Sequence, residues 1–202
     1  MSFSTTEKIV LASNNPGKIR EIQVILQGHP IVPQSQFQLI EAEETGTTFV
    51  ENAIIKARHA ALHCHLPAIA DDSGLVVDAL KGQPGVVSAR YAGANASDQD
   101  NLIKVLAQMK DIAPEQRTAR FVCVMVFIQH AEDPLPVIAQ GVWEGSISSQ
   151  PSGHHGFGYD PIFWLSEYQK SSAELSPEAK NTISHRAQAL KKLVQKIKLL
   201  SL

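Results

Sequence analysis

Apolar residues follow two rhythms along this chain. Short unbroken runs sit between turn-forming residues, and longer stretches repeat every third or fourth position. Lys8-Ile-Val-Leu-Ala12 is of the first kind and predicts a short buried strand. Asn15 then offers a helix N-cap and Pro16 the first helical position, where a missing N–H costs nothing. Ile19, Ile22, Val24 and Leu26 carry the expected helix to Gly28. Thr48 and Glu51 stand at capping-box spacing, ahead of an alanine-rich helical stretch that reaches about Cys64. Pro67-Ala-Ile-Ala70 reads as a second strand, ending in Asp71-Asp72-Ser73-Gly74, which has the composition of a turn.

A third helix is expected after Ser97. Two β-rich stretches follow, Ala119 to Gln129 and Val137 to Ile147, joined by a Pro-containing turn, and then a glycine-rich loop from Gly153 to Pro161. Ser176-Pro177-Glu178 opens a helical C-terminal region in which Leu190, Leu193, Val194 and Ile197 form one apolar stripe. Strands and helices alternate early and a long hairpin comes later. That order predicts an α/β fold, a mixed β-sheet with flanking helices. No repeat, low-complexity tract or long linker divides the chain, so residues 1–202 are expected to form a single domain.

Composition narrows the function classes. A formal net charge of −2 argues against a protein that coats nucleic acid, which needs a basic excess. The longest apolar run, Phe121 to Ile128, is far too short to span a bilayer, so no membrane is expected among the partners. Cys64 and Cys123 cannot build a disulfide framework, and Met1 to Lys8 is not an apolar signal segment. The expected compartment is the reducing cytoplasm.

Several polar groups could carry chemistry. Ser13-Asn-Asn-Pro-Gly-Lys18 joins the first strand to the first helix, where backbone N–H groups and the helix dipole favour an anion. Ile19 stands where a P-loop needs Ser or Thr, so the segment is either an anion site of another kind or an N-cap turn with a solvated lysine. Glu41, Glu43 and Glu44 precede the second helix; they form either a solvated acidic face or oxygen ligands for a hard cation such as Mg²⁺. Asp71 and Asp72, being adjacent in a strand, are expected to face opposite ways, one into the site and the other capping the turn. Lys56 lies one helical turn beyond Asn52, on the same side.

In Gly153-His-His-Gly-Phe-Gly-Tyr-Asp160, three glycines bracket Phe157. The loop either presents that ring for stacking on a base, with N–H groups that can read base edges, or buries it as core. Arg186 shares a helical face with Leu190, Leu193 and Ile197, so it should point inward and meet either a buried acid or a ligand. His59, His63, Cys64 and His65 lack a second ligand group at zinc-site spacing and are expected to decorate a helix.

Seven segments in order resemble the inosine triphosphate pyrophosphatase (ITPase) family, its bacterial members in particular. They are Leu11-Ala-Ser-Asn-Asn-Pro-Gly-Lys18, Glu43-Glu-Thr-Gly46, Phe49-Val-Glu-Asn-Ala53, Ala70-Asp-Asp-Ser-Gly-Leu75, Gly85-Val-Val-Ser-Ala-Arg-Tyr91, Gly156-Phe-Gly-Tyr-Asp-Pro161 and Ser184-His-Arg-Ala187. The resemblance implies an elongated mixed sheet in two lobes around a substrate cleft, assembled as a homodimer. It implies hydrolysis of ITP, dITP, XTP and dXTP to the nucleoside monophosphate and pyrophosphate, which cleanses the nucleotide pool. By the same resemblance Ser13, Asn14, Asn15, Pro16, Gly17 and Lys18 hold the triphosphate with Lys56, Glu44 and Asp72 bind Mg²⁺, and Asp72 is the proton acceptor. Ser73, Phe157, Gly158, Tyr159, Asp160, Lys180, His185 and Arg186 hold the substrate, mainly its base. Ser-Asn-Asn replaces the Thr-Gly-Asn common in relatives, which keeps the hydroxyl and Asn15. A pyrophosphatase for other modified nucleotides and a nucleotide-binding regulator without turnover are the rival expectations.

Overall fold

The computed structural model describes residues 8–26 and 30–200. In chain order the elements are β1 (Ile9–Leu11), α1 (Pro16–Ile25), β2 (Ile31–Pro33), α2 (Phe49–Cys64), β3 (Ala68–Val77), α3 (Asp98–Gln108), β4 (Thr118–Ile128), β5 (Val137–Ile147), β6 (Phe163–Leu165), β7 (Lys170–Ser171), α4 (Pro177–Ile183) and α5 (His185–Leu200). Among the described residues seven strands form one sheet in the order β2-β1-β3-β4-β5-β6-β7. The β1 strand runs parallel to β2 and β3, whereas β6 runs antiparallel to β5 and β7, so the sheet is mixed. No helix among the described residues is long and apolar enough to cross a membrane.

The caps explain where the helices begin. The Asn15 side chain accepts from the Lys18 N–H, and Pro16 takes the first turn of α1. Thr48 and Glu51 close a capping box on α2, and Ser97 and Asp100 do the same on α3. Each such cap is worth about 1 kcal/mol.

Three expectations change. Gly28, the expected end of α1, lies outside the described residues, and Val24 is 60% exposed. Ile19, Ile22 and Leu26 follow the inward face, and Val24 is two positions, about 200°, past Ile22. The expected turn at Asp71-Asp72-Ser73-Gly74 is instead the middle of β3. Turn propensity gives way there because charged partners neutralise both carboxylates and the strand continues through Leu75 and Val77 into a core. The C-terminal helical region is broken at Ser184, whose extended backbone separates α4 from α5.

The chain divides into two compact units. The first comprises Met1–Asp72, Cys123–Gly141 and Arg186–Leu202, and the second Ser73–Val122 and Val142–His185. In the first unit, alternate strand residues serve two cores. Ile9, Leu11, Ile69, Cys123, Met125 and Phe127 pack with Ile22 of α1 and Leu190 and Leu193 of α5. Val10, Ala12, Ala68, Ala70, Val124 and Val126 pack with the alanines of α2. This period of two is what assigns a face to each residue that follows Ala70 in β3. In the second unit, Leu102, Val105 and Met109 of α3 pack with Leu75, Phe121, Trp143 and Phe163.

Candidate active site

Asp71 continues the face of Ile69, toward α1 and α5, and Asp72 the face of Ala68 and Ala70, toward α2. Their partners follow suit. The Asp71 carboxylate is fully buried and receives Lys18 Nζ at 3.0 Å, with Arg186 Nε 3.7 Å away. Arg186, itself 2% exposed, also donates through Nη1 to Glu21 on α1. The structure supplies the inward arginine with the first of its two expected partners, a buried acid. Burial acts to raise the Asp71 pKa, but Lys18, Arg186 and Lys56 outweigh it and hold the carboxyl well below the usual range. Burial likewise opposes the charge on Arg186, and Glu21 and Asp71 more than restore it.

Asp72 accepts from Asn52 Nδ2 at 3.2 Å, and its other oxygen is 3.8 Å from Lys56 Nζ. Lys56 also donates to Glu44 at 3.0 Å. Asn52 is buried, and its Oδ1 accepts the Gly46 N–H at 2.8 Å, which holds the Glu43–Gly46 loop close to α2. A Cβ on Gly46 would lie 2.6 Å from that oxygen, so the approach requires glycine. Burial pushes the Asp72 carboxyl up to about 6; Glu44 and Asp71 add to the rise, against Lys56 and Lys18. Lys56 itself is held cationic, because Asp71, Asp72 and Glu44 overcome its burial.

This carboxylate set fits a hard cation. Glu44 and Asp72 bring oxygens to a single ammonium, and a buried carboxyl raised in this way gains from positive charge. No group of three or more His, Cys, Asp or Glu among the described residues could hold a metal ion by itself. Two carboxylates leave positions for phosphate oxygens and water. His59 and His63, meanwhile, give ring nitrogens to the carbonyls of Ile40 and His59.

Around the first helix, Ser13 and Gly17 are buried while Asn14, Asn15 and Pro16 are exposed. Asn15 donates its N–H to Ser13 Oγ at 3.3 Å. No acidic residue occupies the first turn of α1, so the positive end of its dipole is left for an anion.

The second unit gathers another set. Asp160 is buried, and its Oδ2 receives both Lys180 Nζ at 2.5 Å and the Phe157 N–H at 2.9 Å. Ser172 Oγ donates to the other oxygen at 2.7 Å. Phe157 is half-buried rather than core, with Lys180 Nζ 5.0 Å from its ring centroid. The Gly158 N–H goes to Asp98 at 2.8 Å, and Tyr159 Oη donates to the Ser88 carbonyl at 2.7 Å. The N–H groups of residues 157 and 158, expected to read base edges, are therefore engaged by carboxylates of the protein. His185 is buried and stacks on Phe121 at 4.8 Å. Ser73 is half-buried in β3. The sequence reading missed Glu21, Ser172 and Asp98; only Glu21 left a signal, one helical turn beyond Lys18 on α1.

Comparison with known proteins identifies the family. The chain is 57% identical over 193 residues to the dITP/XTP pyrophosphatase of Vibrio cholerae, covering 95% of this chain and 96% of that protein. Among solved structures it resembles a HAM1 protein from Coxiella burnetii, with a TM-score of 0.89 and 49% identity over 96% of this chain and 100% of that one. The Ham1 protein of Staphylococcus aureus gives a TM-score of 0.86 at 41% identity, with the same coverage. A model of the Ham1 family matches residues 9–196, and the chain belongs to that family.

Proposed function

We propose that this protein hydrolyses non-standard purine nucleoside triphosphates (dITP, ITP, XTP and dXTP) to the nucleoside monophosphate and pyrophosphate. The observation that carries the proposal is the placement of Asp72, a buried carboxylate that accepts from Asn52 at 3.2 Å and stands beside Lys56 and Glu44. A base positioned in this way typically contributes roughly a hundred- to ten-thousand-fold. The similarity to the dITP/XTP pyrophosphatase of Vibrio cholerae supports the same substrate class.

In this reading Asp72 takes a proton from the water that attacks the α-phosphorus. The bond from that phosphorus to the bridging oxygen breaks, and pyrophosphate leaves with the electron pair. Lys18, Lys56 and the N-terminus of α1, with Ser13 to Gly17, hold the triphosphate and offset charge that develops on the leaving group. Glu44 and Asp72 would hold Mg²⁺, which would neutralise phosphate oxygens and lower the pKa of bound water. Phe157 stacks on the purine, and Ser73, Gly158, Tyr159, Asp160, Lys180, His185 and Arg186 complete the binding of the substrate. The same reading makes the enzyme a cytoplasmic homodimer, and its net charge of −2 supports a small-molecule substrate rather than a nucleic-acid polymer.

Incubation with ITP and Mg²⁺ in oxygen-18 water tests the reaction. The expected products are pyrophosphate and an inosine monophosphate that carries the label. Inorganic phosphate with a nucleoside diphosphate, or binding without turnover, refutes it.

A further inference from the structure

Three consecutive residues of the Phe157 loop are tied to three different anchors. Phe157 gives its N–H to Asp160, Gly158 its N–H to Asp98, and Tyr159 its hydroxyl to the Ser88 carbonyl. Asp160 is buried, as is the Tyr159–Ser88 bond, whereas Asp98 is exposed. Its position in α3 makes that contact notable. Ser97 and Asp100 already form the capping box, with Ser97 accepting from the Asp100 N–H at 3.1 Å and Asp100 from the Ser97 N–H at 2.9 Å. Asp98 is outside this exchange, and its carboxylate reaches a backbone N–H sixty residues further along the chain.

The peptide it holds is one with little intrinsic stiffness. Gly158 has φ +61 and Gly156 φ +78, both in the left-handed region, so the loop backbone on either side of Phe157 is glycine. Hydrogen bonding at the 158 N–H fixes the plane of the 157–158 peptide, and with it the direction in which the Phe157 side chain leaves the backbone. Lys180 sits over that ring, 5.0 Å from its centroid.

We propose that Asp98 is a positioning residue, whose carboxylate sets the Gly158 peptide and thereby the stacking plane that Phe157 offers to the purine base. The inference rests on the reading that Phe157 receives the base. An orientation that is equally good in ground and transition states changes KM and leaves kcat alone. Asp98→Ala should therefore raise KM for ITP about five- to tenfold with kcat within about twofold, and Asp98→Asn, which keeps an acceptor oxygen, should recover most of the loss.

Amide hydrogen exchange on the full-length protein without nucleotide reads the tether directly. In Asp98→Ala the Gly158 N–H should exchange at least about tenfold faster, while the Phe157 N–H, held by buried Asp160, changes less. Faster exchange at Gly158 together with a raised KM, rescued by Asn, supports the proposal. Unchanged exchange at Gly158, or faster exchange with KM unaltered, overturns it. A loss confined to kcat, or one that Asn does not rescue, also overturns it. Wild-type enzyme assayed in parallel separates the two levels of failure. An active wild type with an unaffected variant removes only the role of Asp98, whereas a wild type inert on ITP removes the proposed function and this inference with it.

Discussion

Asp71 and Asp72 are neighbours in one strand, yet replacing each by asparagine should move stability in opposite directions. Asp72 is ionised at neutral pH at a cost, because its carboxyl is pushed up from an ordinary 3.8 to about 6. At 1.36 kcal/mol for each pH unit that cost is about 3 kcal/mol, and an asparagine that keeps the Asn52 contact should recover roughly 1–3 kcal/mol of it. A chain of this size gains about 2–4 °C in Tm for each kcal/mol, so Asp72→Asn should melt roughly 2–12 °C higher without divalent cation. Asp71→Asn instead leaves buried Arg186 and Lys18 short of a counter-charge. Removing one partner of a buried pair costs about 3–5 kcal/mol, and because Glu21 still serves Arg186 the lower end applies, a fall of roughly 6–12 °C. The pH dependence separates the two. A carboxyl raised in the folded state favours the fold below the unfolded pKa near 4, and that advantage is lost as pH climbs through about 6. The Asp72→Asn gain should thus be about halved at pH 5 and down to about a fifth near pH 4. Asp71 is shifted the other way, so its contribution is present above the ordinary carboxylate range and lost only in stronger acid; its penalty should persist at pH 5. Thermal unfolding in EDTA at pH 7.5, 5 and 4 reads both. A destabilised Asp72→Asn at pH 7.5, or a gain independent of pH, refutes the electrostatic account. Turnover with Mg²⁺ should nevertheless collapse in that more stable variant.

Arg186→Ala should lose about 3–5 kcal/mol of stability through stranded Asp71 and Glu21, read by chemical denaturation. If Arg186 reads the 6-keto edge of the base, kcat/KM should also fall more for ITP than for ATP; an equal fall across ITP, XTP, GTP and ATP would leave it the ion-pair role alone. Phe157→Ala should weaken all four nucleotides together by about 1–3 kcal/mol of binding, since stacking tolerates any purine, and a loss confined to ITP contradicts that role. Gly156→Ala places a Cβ 2.0 Å from Asp160 Oδ2 at φ +78, so it should dislodge Asp160 from Lys180 and lower kcat/KM for ITP more than tenfold; wild-type kinetics would show that the loop absorbs the methyl.

Local signals were legible wherever a residue acts on its near neighbours. Asn15, Thr48 and Ser97 cap the helices that their spacing announces, and the inward position of Arg186 follows from helical period alone. The four residues after Ala70 misled because turn propensity is a local quantity, whereas Lys18, Lys56, Asn52 and Arg186 reach the two carboxylates from elements distant in sequence. Asp98 was invisible for a related reason. Its partner is a backbone N–H, and a backbone group leaves no mark in the sequence at position 158 beyond the glycine.

The ion pair between Glu21 and Arg186 spans 165 residues, and this has a consequence for the order in which the protein can be completed on the ribosome. The strands β1 and β3, the helix α1 and the acids Glu21 and Asp71 are all synthesised in the first half of the chain. Arg186, which neutralises those acids, and Leu190 and Leu193, which fill that core, emerge only much later. Until then a nascent chain carries an open apolar face and an excess of buried-to-be negative charge around Asp71. Folding of this half must therefore wait for the last helix, a non-local closure of the kind that slows folding and prolongs exposure of sticky intermediates. A nascent chain that stops short of Arg186 cannot present a finished charge cluster, so assembly of this half waits on the emergence of α5.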